Sequence, residues 1–422
     1  MKHLYILLIL FITQLTFAQK SFVITNVTIH VGNGEVIENG AIGVKNGKIS
    51  EVGPSAKVGK GYDQSIDGKG QHVYPGFIAP NTQLGLVEME SVRATTDFRE
   101  VGNFNPNIRS IIAYNTDSEI IPTIRSNGVL IAQVTPQGGS IPGQSSIMHL
   151  EGFNYEDAQL KADHCIHLNW PSRYSFGGWW AEPGETNLNK NYSRDVEGIK
   201  LFFDAALSYS QNAKPEIQNM RFEAMRGLFN KNKKLFVHTD DAQSMLEAFE
   251  LLKNYKTDLV YVGAAESFRI TDFLKENNIP VILGNVHALP RYEHDDIDLP
   301  YRIPAILQQK GVKFALSMEG SWQQRNIMFQ AGHAVGYGLT KEQALAAVTM
   351  NSAEILGIGD RVGSLQIGKD ATFIVSKGDA LDMRTSVISD AYIQGRQVSL
   401  NDKQKDLYKK FMDKFGFKEV KG

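Results

Sequence analysis

One cysteine, Cys165, stands among 422 residues, so no internal disulfide can form and a disulfide-stapled scaffold is excluded. Charge of one sign is also lacking: 44 Lys and Arg face 46 Asp and Glu, a net charge of −2. That balance excludes a polybasic nucleic-acid binder. A chain held open by its own charge is excluded too, since 42% of residues are hydrophobic and 21% charged. Past the amino end no run is apolar enough to span a bilayer, which takes ~20 residues. Stable membrane insertion and nucleic-acid partners are therefore not expected, and a small molecule is the natural ligand class.

The amino end itself has a distinct pattern. Met1-Lys2-His3 precedes the apolar run from Leu4 to Ile12, and Thr16-Phe17-Ala18 closes it with small residues at two cleavage-site positions. A basic start, a short apolar core and a small-residue end describe a secretory signal peptide over residues 1–18. The expectation is an exported protein, periplasmic or secreted.

Two β-rich ends flank a different middle. Residues 20–75 hold short β-branched runs and the hairpin dipeptide Asn46-Gly47. Residues 363–400 have the same texture, with Ala371 to Val375 and Ala391 to Ile393 as strands. Each end is too small to bury much surface alone, so one composite β-sandwich built from both is predicted. Between them strands and helices alternate. Leu235 to His238, Leu259 to Val262, Pro280 to Leu283 and Lys313 to Leu316 read as strands. Met245, Leu246, Phe249 and Leu252 recur at helical spacing. Thr340 and Gln343 form a capping box for a helix through Leu345. The alternation predicts an α/β fold: a parallel, TIM-like (β/α) barrel over residues 76–362. An aromatic insertion at 169–195 interrupts it with three of the four tryptophans, Trp170, Trp179 and Trp180. Residues 401–422 read as an amphipathic helix docked on the sheet, with Leu407, Phe411 and Phe415 at spacing four.

Several stretches carry a resemblance. They are Val73-Tyr74-Pro75-Gly76-Phe77-Ile78, the Gly-rich segment Thr135 to Ser145, and Tyr337 to Gly357 with Thr349-Met350-Asn351. Arg361-Val362-Gly363-Ser364-Leu365 and Gly368-Lys369-Asp370-Ala371 complete the set. Together they resemble the amidohydrolase superfamily, in particular its secreted imidazolonepropionase-related and prolidase-like branch. The resemblance implies a TIM-like barrel with a split β-sandwich and hydrolysis of a C–N bond in a small amide or lactam. It also implies a divalent metal, Zn or Mn, held at the barrel strand ends, where a metal-bound water attacks a polarised carbonyl.

Carried over residue by residue, the family's ligand set is largely replaced. The His-x-His pair after the first barrel strand corresponds to Asn81 and Gln83, neutral amides that bind Zn²⁺ poorly. His238 ends its strand as the pattern asks. Gly263 stands where a sixth-strand His belongs, and the last strand ends in Met318-Glu319 in place of the Asp. No Lys lies between Lys69 and Lys161 to bridge two metals. The candidates are Glu319 and His238 for catalysis, His238, Asn81 and Gln83 at the degenerate metal positions, and Trp179, Trp180 and His287 for substrate binding. A rebuilt mononuclear site from His238, His287 and Glu266 or Glu319 is a further arrangement. Alternation along a strand puts Cys165 and His167 on one face, where core packing is the expected role. Three readings follow. One is a C–N hydrolase. The second is a metal-poor pseudoenzyme that binds a ligand, forms a homo-oligomer or pairs with an active paralogous amidohydrolase. The third is a binding protein that grips a sugar or peptide through Trp170, Trp179 and Trp180.

Overall fold

The structure, a computed structural model, describes residues 21–179 and 182–417. The expected export signal at 1–18 and the candidate Trp180 lie outside the described residues. In chain order the strands begin with β1 (Phe22–His30), β2 (Val36–Lys45), β3 (Lys48–Pro54), β4 (Gln64–Asp67) and β5 (His72–Pro75). Next come β6 (Phe77–Thr82), β7 (Val129–Val134), β8 (Gly143–His149), β9 (Gln159–Asn169), β10 (Tyr174–Trp179) and β11 (Glu182–Leu188). The series ends with β12 (Lys234–Thr239), β13 (Leu259–Gly263), β14 (Val281–Leu283), β15 (Phe314–Leu316), β16 (Phe373–Ser376), β17 (Ile388–Ile393) and β18 (Arg396–Gln397).

The two ends of the chain meet in one sheet of order β18-β17-β16-β5-β1-β2-β3, with β4 also on β1. Strand β16 pairs with β5, so the segment before the barrel and the segment after it share backbone hydrogen bonds. The β2–β3 hairpin turns at Asn46 and Gly47, with φ of 51° and 74°, the left-handed pair that a tight hairpin needs. Ile24, Ile29, Ile42, Val73, Phe373 and Tyr392 form its own core.

The second large sheet has the order β15-β14-β13-β12-β9-β8-β7-β6, and β15 lies beside β6, so it closes almost completely into a barrel. Not all of it is parallel as predicted. Strand β8 runs antiparallel to both β7 and β9. The physical reason is connection length. A parallel crossover needs a dozen or more residues, and only 135–142 join β7 to β8 and 150–158 join β8 to β9. The remaining barrel pairs are parallel. Among the described residues no helix is long and apolar enough to cross a membrane.

The aromatic insertion is a two-stranded ribbon, β10–β11, followed by the helix Tyr192–Ser210. The helix Lys403–Phe415 does not dock on a sheet. It buries none of its own residues, and its start is tied to the helix Ile120–Ser126. There Asp402 accepts from Ser126 Oγ at 2.8 Å, and Gln404 accepts from Thr123 Oγ1 at 2.7 Å. Its stripe of Leu407, Phe411 and Phe415 stays exposed.

Candidate functional site

The ends of β6, β9, β12, β13, β14 and β15 surround a cleft of ≈ 910 Å³. Asn81 and Gln83 line it from β6 and the turn beyond. Asn169 and Trp170 come from the end of β9, His238 and Asp240 from β12 and its loop, Asn285 and Arg291 from the loop after β14, and Met318 and Glu319 from the end of β15. Barrel strand ends collect side chains from segments far apart in sequence, so the mouth is where chemistry converges.

Asn81 sits in left-handed backbone at φ 53°, and its N–H donates inward to Gln133 Oε1 at 3.0 Å. His238 lines the cleft, but its Nε2 turns into the barrel and meets His167 Nδ1 at 2.7 Å. Burial holds the pKa of His238 down to about 4, so the ring is neutral at physiological pH. Gly263 has φ 86°, and a Cβ there would lie 2.5 Å from Asp240 Oδ1. Any side chain at this position would be strained by the backbone, so a sixth-strand His is disfavoured there as well as absent from the sequence. Glu319 is exposed, and its N–H donates to Asn285 Oδ1 at 3.2 Å, which fixes the loop that carries it. Asp240 pairs with Arg291 at 3.7 Å across the mouth.

Four of the sequence candidates, Asn81, Gln83, His238 and Glu319, meet in this one cleft. His287 is not among the cleft-lining residues. Its ring meets His333 edge-on at 4.4 Å and Tyr301 at 5.7 Å, and burial, then His333, lowers its pKa. Trp179 is 56% exposed on β10 and donates from Nε1 to Glu182 at 3.4 Å, also off the cleft. Glu266 is used structurally, accepting the Ala242 N–H at 3.0 Å at the start of the preceding helix, Ala242–Leu252. Among the described residues Trp170 is the tryptophan that reaches the cleft; it is buried and donates to Tyr192 Oη at 3.1 Å.

These donors do not fit a catalytic metal. Two positions are amides, one is a glycine, and the single imidazole has a nitrogen engaged inside the barrel. Among the described residues no group of three or more His, Cys, Asp and Glu could hold a metal ion.

Beneath the mouth lies a set of buried polar side chains that sequence reading did not assemble. Gln133, Ser145, His164, Cys165 and His167 are all buried. Cys165 and His167 share a face, as alternation predicts. His164 joins them because the β8–β9 register shifts between Ser145 and Ile147, where Asp163 takes φ 46°. A polar residue in an otherwise apolar buried strand, Gln133 within Val129–Val134, is the signal that could have flagged the set.

Comparison with known proteins bears on this architecture. A profile of the amidohydrolase family matches residues 301–402. An imidazolonepropionase from Syntrophobacter fumaroxidans is 23% identical over 83% of this chain and 86% of its own. The crystal structure of an amidohydrolase from Thermotoga maritima superposes with a TM-score of 0.76 at 23% identity, covering 90% of this chain and 99% of that one. An adenosine deaminase from Xanthomonas campestris, solved with bound zinc, gives a TM-score of 0.52 at 14% identity over 94% of this chain and 99% of that one.

Proposed function

We propose that this chain is a member of the amidohydrolase superfamily that takes a small polar molecule into its barrel mouth and hydrolyses a C–N bond in it. Amides, lactams and imides are the substrate class. The observation that carries the reading is that one cleft holds a carboxylate, Glu319, and a neutral, oriented imidazole, His238. The carboxylate takes a proton from water as that water attacks the carbonyl carbon. A neutral imidazole N–H polarises the carbonyl and stabilises the oxygen anion that forms. Collapse of the intermediate breaks the C–N bond, and the nitrogen leaves with the proton returned by Glu319. No step runs through a metal, because the donor set does not fit one.

A second reading is binding without turnover, alone or beside an active amidohydrolase. The substituted positions Asn81, Gln83 and Gly263 favour it.

A panel of N-acyl amino acids, lactams and cyclic imides, followed by mass spectrometry with EDTA and with added Zn²⁺, separates the two. Hydrolysis indifferent to chelator and reduced about 100-fold by Glu319→Gln is the expected result. Ligand-induced stabilisation with no product supports the second reading. Turnover that requires added metal overturns the assignment of Glu319 and His238.

A further inference from the structure

We infer that a one-way hydrogen-bond chain inside the barrel, from the Asn81 N–H through Gln133, Ser145 and His167, fixes His238 as the tautomer that presents an Nδ1–H donor to the cleft. The inference rests on the reading that His238 serves the cleft, and it names which oxygen-bearing ligands that side chain accepts.

The direction is set by donor and acceptor counting. A backbone N–H can only donate, so the atom of Gln133 that meets the Asn81 N–H at 3.0 Å is the carbonyl oxygen. The other end of Gln133 is therefore the amide NH₂, with two hydrogens to give. Its partners are Ser145 Oγ at 3.1 Å and His164 Nε2 at 3.2 Å, with the weaker acceptor Cys165 Sγ farther off at 3.6 Å. His164 Nε2 accepts there and has no lone pair left for a second donor. The Ser145 hydroxyl proton then has two remaining choices, His167 Nε2 at 2.9 Å and Cys165 Sγ at 2.9 Å. Sulfur is a weak acceptor and an imidazole nitrogen a strong one, so the proton goes to His167. Burial pushes the Cys165 thiol up to about 12, so it keeps its hydrogen and donates it to the second lone pair of Ser145 Oγ. Gln133, Ser145 and Cys165 are then all satisfied. With a proton on His167 Nε2 instead, the serine proton goes to sulfur and the thiol hydrogen is left with the nitrogen of His164 at 3.7 Å, which Gln133 already holds; a thiol donating to His167 Nε2, 3.3 Å away, makes that nitrogen an acceptor all the same.

Because its Nε2 accepts, the buried His167 ring is not doubly protonated and carries one ring proton. With Nε2 accepting, that proton sits on Nδ1 and is donated to His238 Nε2 at 2.7 Å. His238 Nε2 accepts in turn, so the ring carries its proton on Nδ1. Among the described residues that nitrogen has no partner, and the residue lines the cleft. The ligand group it meets is a hydrogen-bond acceptor: a carbonyl or carboxylate oxygen. Gln133, Ser145 and His167 act through His238 and are positioning residues.

Ring-¹⁵N histidine spectra of the whole protein at neutral pH test this directly, with His238 assigned by its loss in His238→Gln. The expected pattern for His238 is a pyrrole-like Nδ1 and a pyridine-like Nε2. The reverse pattern overturns the inference, whatever the hydrolysis assays show. His167→Phe keeps the ring volume and removes the donor. The His238 pattern should then shift toward Nε2–H, and His167→Gln, whose amide can donate to Nε2, should restore it. An unchanged His238 spectrum in His167→Phe, with the cooperative melt retained, also overturns it. The tautomer is read without turnover, so a failed substrate panel and a failed tautomer assignment are distinguishable.

Discussion

Asp370 shows at residue scale how the sandwich and the barrel are joined. Its carboxylate is almost fully buried and accepts from Lys48 Nζ at 2.5 Å and from Arg361 Nη2 at 2.7 Å. Lys48 begins β3 of the composite sheet, and Arg361 follows the last barrel helices. Asp370→Ala leaves two cations facing each other at the joint. Both are partly exposed, which moderates the cost, and a loss of about 2 kcal/mol is expected. Urea denaturation checks it: a midpoint equal to wild type contradicts a structural role for this pair. The cleft follows a different logic. His238 and Glu319 were legible because each ends a strand read from its apolar run. Gln133, Ser145 and His167 were not, since their meeting depends on which strands are neighbours in the barrel.

The helix Lys341–Ala347 shows the element scale. Thr340 Oγ1 accepts from the Gln343 N–H at 3.2 Å, and Gln343 Oε1 accepts from the Thr340 N–H at 2.9 Å. The capping box read from two residues three apart is therefore formed, because both hydrogen bonds are local and independent of tertiary context. Thr340→Ala should cost about 1 kcal/mol in denaturant titration, while Thr340→Ser should cost little. Equal losses in the two would point to the methyl group's packing in place of the cap. Strand direction in the barrel is an element property of another kind. The short segments 135–142 and 150–158 force β8 to run against its neighbours, and this was readable in principle from spacing alone. The helix Lys403–Phe415 kept the amphipathic pattern seen in its sequence, yet the pattern did not say that the apolar stripe would face solvent.

At the scale of the whole molecule, the buried histidines set the response to acid. Burial holds His149 and His238 near 4 and His164 near 3, with His167 well below its usual value. In the unfolded chain each titrates near ~6.5. Between about pH 6.5 and 4 the unfolded state therefore binds more protons than the folded one, and stability rises with pH across that window. Read downward, stability is intact near neutrality and is lost as pH falls below about 6.5. The loss is on the order of 1–2 kcal/mol per buried histidine at pH 5. Urea midpoints at pH 7, 6 and 5 should fall in sequence. A flat series from pH 7 to 5 would falsify neutral burial of these rings.

The sequence by itself determined the partition into two β-rich ends and an α/β middle, the Asn46-Gly47 hairpin, the capping box and the strand ends that carry His238 and Glu319. Each of these rests on local periodicity or on hydrogen bonds a few residues long. Only the tertiary structure decided that His287 leaves the cleft for His333 and that Trp170 lines it. It alone brings Gln133, Ser145, Cys165 and His167 into one chain beneath His238. Those outcomes depend on side chains from different strands meeting inside a closed sheet, and no single segment holds the information that places its neighbours.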